Sequence, residues 1–162
     1  MIMDTIITRK HRLHTSLYTG RVISSFTLCL ESRHKLFNDV KVVEEFKKRL
    51  IKSLETNHCK DWVYIFMPDH FHVVLEGMNE EADLLKAVVD FKQATGYWMR
   101  INLRGHKWQK SYYDHILRSE DDLKTQISYI LENPVRKGLV KKWQDYPFSG
   151  STGMDIKNLV TG

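Results

Sequence analysis

Two imidazoles stand two residues apart in His70-Phe71-His72, and a phenol precedes a carboxamide by four residues in Tyr129 and Asn133. Side chains at i and i+2 of a strand point to one face, with Cα atoms roughly 6.6 Å apart. Imidazoles that near can converge on one metal ion or one phosphate. On a helix, i and i+4 share a face, so Tyr129 and Asn133 project side by side. Tyrosine, with a pKa of about 10, needs activation before it can act as a nucleophile at neutral pH. A divalent cation polarising a phosphate lessens that need. An asparagine carbonyl oxygen is a hard donor suited to Mg²⁺ or Mn²⁺. Each feature taken singly has a plainer reading: exposed strand histidines, a tyrosine packed beside Ile130, and an asparagine ending a helix before Pro134.

These groups need a strand and a helix to hold them. His-Phe-His-Val-Val alternates as a half-buried strand does, with Phe71 and Val73 turned to the core and the histidines on a polar, open face. Met67-Pro68-Asp69 suits a turn between this run and WVYIFM (62–67), giving a hairpin. Gly20 precedes a β-rich segment over 21–31. Asn38 and Asp39 offer caps for a helix whose stripe is Val42, Val43, Phe46, Leu50, Ile51 and Leu54. Residues 80–103 carry a second helical pattern through Leu84, Leu85, Val88, Val89 and Phe91, stopped by Gly105. Residues 111–119 read as a strand. Ser119, three residues before Asp122, opens a last helix, which Pro134 stops near Asn133. The order β-α-β-β-α-β followed by a helix specifies an α+β, ferredoxin-like split βαβ antiparallel sheet with helices on one face, plus a C-terminal helix carrying the tyrosine.

The chain has 162 residues, fitting one domain, with a net charge of +5. That charge leans toward a polyanionic partner. It is concentrated at 1–35, 100–118 and 134–145. No apolar run approaches the ~20 residues of a membrane span, and MIMDTIITRKHR has no leader pattern, so no membrane association is expected. Cys29 and Cys59, without a CxxC pair, suit a reducing cytoplasm. The expected organisation is a basic segment at 1–17, one domain over 18–150 and a loose tail at 151–162.

The segments MPDHFHVVLEG (67–77), WQKSYYDHILRSEDDL (108–123) and YILENPVRKGLV (129–140) together resemble the HUH single-tyrosine transposases, in particular their REP-associated tyrosine transposase branch. GRVISSFTLCLESRHKLF (20–37) and YPFSG (146–150) fit as well. The resemblance implies a ferredoxin-like nuclease domain in which His70, His72 and Asn133 bind a divalent metal, Mg²⁺ or Mn²⁺, and Tyr129 is the catalytic nucleophile. It further implies action on single-stranded DNA beside hairpins, with no nucleotide cofactor. Relatives include monomers and dimers, so a homodimer stays open.

Lys92, Trp108, Gln109, His115, Arg118 and Arg136 are candidate DNA contacts, the cations neutralising phosphates and Trp108 stacking on an unpaired base. Trp62, Phe66, Trp98 and Trp143 read as core. Two rival classes remain. A binding module without catalysis requires exposed aromatics on the central strands. A metal phosphoesterase using water would leave Tyr129 structural. A domesticated transposase with a host role would look the same in sequence.

Overall fold

Alternation along one strand divides this molecule into two cores. A computed structural model describes residues 13–157. Strands β1 (Ile23–Cys29), β2 (Cys59–Met67), β3 (His70–Gly77), β4 (Tyr113–Ile116) and β5 (Ser149–Gly150) join helices α1 (Val40–Thr56), α2 (Leu84–Asn102), α3 (Glu120–Leu131) and α4 (Asn133–Arg136). The sheet order is β4-β1-β3-β2-β5, and every neighbouring pair is antiparallel. This is the ferredoxin-like split βαβ arrangement, with β5 added beside β2.

On one face, Phe71, Val73 and Leu75 of β3 meet Phe26 and Leu28 of β1 and the stripes of α1 and α2. Asp39 caps α1 by accepting the Lys41 N–H at 2.9 Å, and Asp83 caps α2 through Lys86. Phe37, Phe46, Phe66 and Phe91 are at most 2 % exposed, and burying each such ring contributes roughly 1.5–3 kcal/mol. Ile51 leaves the expected stripe and is 39 % exposed.

The opposite face is covered as well. α3 lays Leu123, Ile127, Ile130 and Leu131 on Val63, Ile65 and Met67 of β2 and Val74 of β3, with Trp143, Tyr146 and Ile156 completing this second core. Burial on both faces explains why WVYIFM is continuously apolar instead of alternating. It also corrects the expectation of an open histidine face: His70 and His72 are 8 % and 9 % exposed.

Other boundaries differ for identifiable reasons. The strand expected over 111–119 is only Tyr113–Ile116. Ser119 caps α3 by accepting the Asp122 N–H at 3.1 Å. The last helix breaks at Glu132, and Pro134, lacking an N–H, sits in the first turn of the new helix α4. The segment expected to be a loose tail is docked over 151–157. The buried Asp61 carboxylate accepts the Thr152 N–H at 3.0 Å and the Thr152 hydroxyl, and Ile156 is 7 % exposed. Of the basic N-terminal segment, residues 1–12, with Arg9, Lys10 and Arg12, lie outside the described residues, as do 158–162. No helix among the described residues is long and apolar enough to cross a membrane.

Gly77 closes β3 against the chain entering β1. A Cβ there would stand 1.8 Å from the Gly20 carbonyl oxygen and 2.8 Å from Ala82 Cβ. Backbone cannot yield as a side chain can, so Gly77→Ala is expected to destabilise the fold by about 3 kcal/mol or more. Urea unfolding checks this; an unchanged midpoint would contradict the packing.

Candidate functional site

The site lies where the start of β3 meets the junction of α3 and α4. Strand register puts Thr27 opposite His72 on one side and Ile65 on the other. His70 lies between Cys29 and Met67. The two rings are 4.7 Å apart and edge to face. Asn133, in the first turn of α4, brings its amide nitrogen to 3.1 Å from His72 Nε2 and 3.5 Å from His70 Nε2. His70, His72 and Asn133, the three expected metal ligands, are therefore brought together within one chain.

The outer nitrogen of each ring is also held. His70 Nδ1 is 2.7 Å from Asp69 Oδ1, and His72 Nδ1 is 2.7 Å from Thr27 Oγ1. An ionised carboxylate can only accept, so His70 Nδ1 carries the proton and its Nε2 lone pair faces Asn133. The same tautomer for His72 lets Nδ1–H donate to Thr27. Burial pushes the His70 pKa down despite its bond to Asp69, and holds that of His72 well below 6.5, helped by the charges of His70, Arg136 and Arg33. Burial thus disfavours the protonated form of both rings, and neutral imidazole is the form that binds metal.

These donors fit a divalent cation. Among the described residues no group of three His, Cys, Asp or Glu side chains is placed to hold a metal. Asn133 could join the two histidines as a third donor by turning its amide half a rotation to present Oδ1. Such a set of two nitrogens and one oxygen would leave coordination positions for substrate, as a catalytic ion requires.

Tyr129 lies one turn before Asn133 and is half-buried. The Arg136 guanidinium is 4.0 Å from its ring centroid and donates to its backbone carbonyl at 2.7 Å. Arg136 thereby restrains the tyrosine, and its charge acts at His72.

The other candidates are scattered. Trp108 corrects the base-stacking expectation. It is 8 % exposed, donates Nε1–H to Thr95 Oγ1 at 2.8 Å and packs against Phe37, Phe46 and Phe91. Both ring faces are spent on the core. Lys92 donates to the carbonyls of Gln109 and Lys110 at 2.9 and 3.2 Å, and Gln109 donates to the Leu30 carbonyl, so these two fasten a loop to the body. His115 is exposed, and pairs with Ser25 on the histidine side of the sheet. Arg118 lines a cavity of about 960 Å³ beside α3, with Arg21, Trp62, Lys124 and Ser128 also on its wall. Trp62 and Trp98 are half-buried; Phe66 and Trp143 are core as expected.

Sequence reasoning missed Asp69, Thr27 and Arg33. Asp69 had an audible signal in its adjacency to His70, whereas Thr27 needed the strand register. Of the central-strand aromatics, Phe26, Phe66 and Phe71 belong to the helix-covered core, away from the histidines, while Trp62 of β2 is half-buried on the cavity wall.

A family model described as "Transposase IS200 like" matches residues 20–133, more than half the chain. The chain belongs to the IS200-like transposase family. A provisionally named REP-associated tyrosine transposase of Haemophilus influenzae is 24 % identical over 143 residues, covering 82 % of this chain and 80 % of that one. A REP-associated tyrosine transposase of Escherichia coli is 26 % identical over 86 residues, covering 53 % of this chain and 50 % of its own length. Among solved structures, a REP-associated tyrosine transposase bound to a REP hairpin superposes with a TM-score of 0.72 at 23 % identity, over 85 % of this chain and 79 % of that one. A provisionally named transposase from Deinococcus radiodurans gives 0.52 at 21 % identity, over 72 % and 92 %. Both likenesses establish the same fold for this family member.

Proposed function

We propose that this family member is a divalent-metal-dependent transposase-type endonuclease that cleaves and rejoins single-stranded DNA beside hairpins through a 5′-phosphotyrosine on Tyr129. The observation carrying this reading is the convergence of both histidine Nε2 atoms on Asn133, 3.1 and 3.5 Å away, one helical turn beyond Tyr129. Hairpin DNA is the ligand named for the structural relative, and it supplies the substrate class here.

Bound Mg²⁺ or Mn²⁺ would polarise the scissile phosphate and neutralise its charge. His70, His72 and Asn133 would hold the ion, with Asp69 and Thr27 fixing the ring tautomers. Tyr129 Oη attacks phosphorus and gives up its proton to solvent. The bond to the upstream 3′-oxygen breaks, and that oxygen leaves as a 3′-hydroxyl. A 3′-hydroxyl then attacks the phosphotyrosine and returns the phenol. Phosphodiester energy is retained in the protein–DNA bond, so no nucleotide cofactor enters. The two cysteines, buried and not joined in a disulfide, accord with a cytoplasmic setting.

The test is incubation with Mg²⁺ or Mn²⁺ and labelled single-stranded hairpin DNA from the gene's neighbourhood, followed by a denaturing gel. A metal-dependent protein–DNA adduct is expected. Cleavage without an adduct would assign the nucleophile to water and overturn this mechanism.

The cavity beside α3 is assigned to unpaired nucleotides flanking the hairpin, because Arg118 and Lys124 sit on its wall. Each phosphate contact to a single strand contributes about 0.7 to the slope of log affinity against log salt. Arg118→Ala/Lys124→Ala is expected to lower that slope by about 1.4 in fluorescence anisotropy. An unchanged slope would show that neither side chain meets a phosphate.

A further inference from the structure

Two consecutive residues after β1, Ser32 and Arg33, have φ of 58° and 52°, and neither is glycine. Side chains rarely tolerate that region, and where they do the surroundings must hold them there. Here the loop is pinned to the β2–β3 turn. The Leu30 N–H donates to the Asp69 carbonyl at 3.0 Å, and those of Leu36 and Phe37 donate to the Pro68 carbonyl. The strained backbone delivers one side chain to the site. Arg33 Nε donates to Asp69 Oδ2 at 2.9 Å, while Asp69 Oδ1 lies 2.7 Å from His70 Nδ1. The guanidinium itself comes within 3.5 Å of that ring nitrogen.

We propose that Arg33 and Asp69 act as positioning residues for the metal site, Arg33 locking the Asp69 carboxylate so that it holds His70 in the tautomer whose Nε2 is the ligand. This rests on the reading of His70, His72 and Asn133 as metal ligands. Asp69 has two oxygens and two duties, and occupying one with Arg33 stops the carboxylate from rotating away from the ring. A carboxylate behind a histidine orients the imidazole and raises its basicity toward a metal. His72 makes do with the Thr27 hydroxyl, a neutral partner at 2.7 Å. His70 is therefore the more strongly donating ligand of the pair. Fold stability does not account for the arrangement. The Arg33 side chain is 53 % exposed, and ion pairs that open to solvent contribute little. The left-handed backbone is what brings Arg33 to Asp69.

The test uses the full chain, Mn²⁺ as the probe, and two readouts. Titration calorimetry gives the Mn²⁺ affinity, and long-range ¹H–¹⁵N correlation spectra of the metal-free protein give the His70 tautomer. Asp69→Ala is expected to weaken Mn²⁺ binding about 10- to 100-fold, the range found for partners of metal ligands, and to mix the His70 tautomers. Asp69→Asn keeps one oxygen acceptor and turns the other into an amide donor, so it can serve His70 or Arg33 but not both, and is expected to fall between Asp69→Ala and wild type in both readouts. Arg33→Ala should weaken binding toward the lower end of that range, with Arg33→Lys intermediate. Arg33→Gly is the control for strain. Glycine accepts the positive φ, so thermal stability should hold while Mn²⁺ affinity falls as in Arg33→Ala. Wild-type affinity and an unmixed tautomer in Asp69→Ala would overturn the proposal. Absence of Mn²⁺ binding by the wild-type chain, or binding that survives His70→Ala/His72→Ala, would instead remove the metal reading beneath it.

Discussion

Tyr129→Phe is expected to abolish the covalent protein–DNA adduct and to slow strand cleavage by roughly 10⁴-fold or more, the scale on which removal of a covalent nucleophile acts. The substitution deletes one oxygen and nothing else. The ring survives, so the Arg136 guanidinium 4.0 Å from its centroid keeps its partner, and the Arg136 bond to the Tyr129 carbonyl does not involve the side chain. Tyr129 is half-buried, and its hydroxyl makes no hydrogen bond to another described residue, so stability should stay within about 0.5 kcal/mol. Mn²⁺ affinity should stay within about twofold of wild type, because the groups around the histidine Nε2 atoms are untouched. A denaturing gel with end-labelled hairpin DNA, run beside calorimetry with Mn²⁺, reads both halves. Wild-type cleavage in Tyr129→Phe would move the nucleophile to water. Lost cleavage together with lost metal binding would make Tyr129 a structural support instead.

The grouping of the candidate site residues was more legible in the sequence than their enclosure. His70 and His72 share a face because a strand has period two, and Tyr129 sits one turn before Asn133 because a helix has period near 3.6. Both relations are local. That the two pairs meet depends on α3 crossing onto the face of the sheet opposite α1 and α2. The hint was the unbroken apolar run in β2, where Val63, Ile65 and Met67 needed cover that α1 and α2 could not give. Trp108 was misjudged because it follows Gly105 in a polar stretch that reads as an exposed loop. An isolated bridge from Leu30 to Trp108 folds that stretch onto the end of β1 and buries the indole. The docking of Ser151 and Thr152 was invisible from their own composition. Its cause is Asp61, a carboxyl only 1 % exposed, whose partners come from 91 residues away. Arg33 was hidden for a similar reason, since a left-handed loop leaves no mark when glycine is absent.

Metal should stabilise the fold, and His72→Gln should shrink that effect while the metal-free protein still folds. A ligand that binds only the native state adds RT ln(1 + [L]/Kd), about 2.7 kcal/mol at a hundredfold excess over Kd. For a chain of this size each kcal/mol moves the melting temperature by roughly 2–4 °C, so Mn²⁺ should raise it by about 5–10 °C and EDTA should reverse the rise. Removing His72 outright confuses two losses. Alanine would leave Thr27 and Asn133, both bonded to the ring, facing a buried gap, at a cost of about 1–3 kcal/mol for each unsatisfied group. Glutamine replaces the ring with a side chain that can still bond to both, so the metal-free melting temperature should fall only slightly. It trades the imidazole lone pair for an amide oxygen, a donor of the kind Asn133 offers, so the metal-dependent rise should fall but need not vanish. The discriminating quantity is therefore the difference between melting temperatures with and without Mn²⁺, compared by scanning calorimetry across wild type, His72→Gln and His70→Ala/His72→Ala. If that difference is unchanged in both variants, the cation binds elsewhere and the convergence of His70, His72 and Asn133 is structural. If it shrinks in His72→Gln along with the DNA adduct, the same imidazole serves both binding and cleavage.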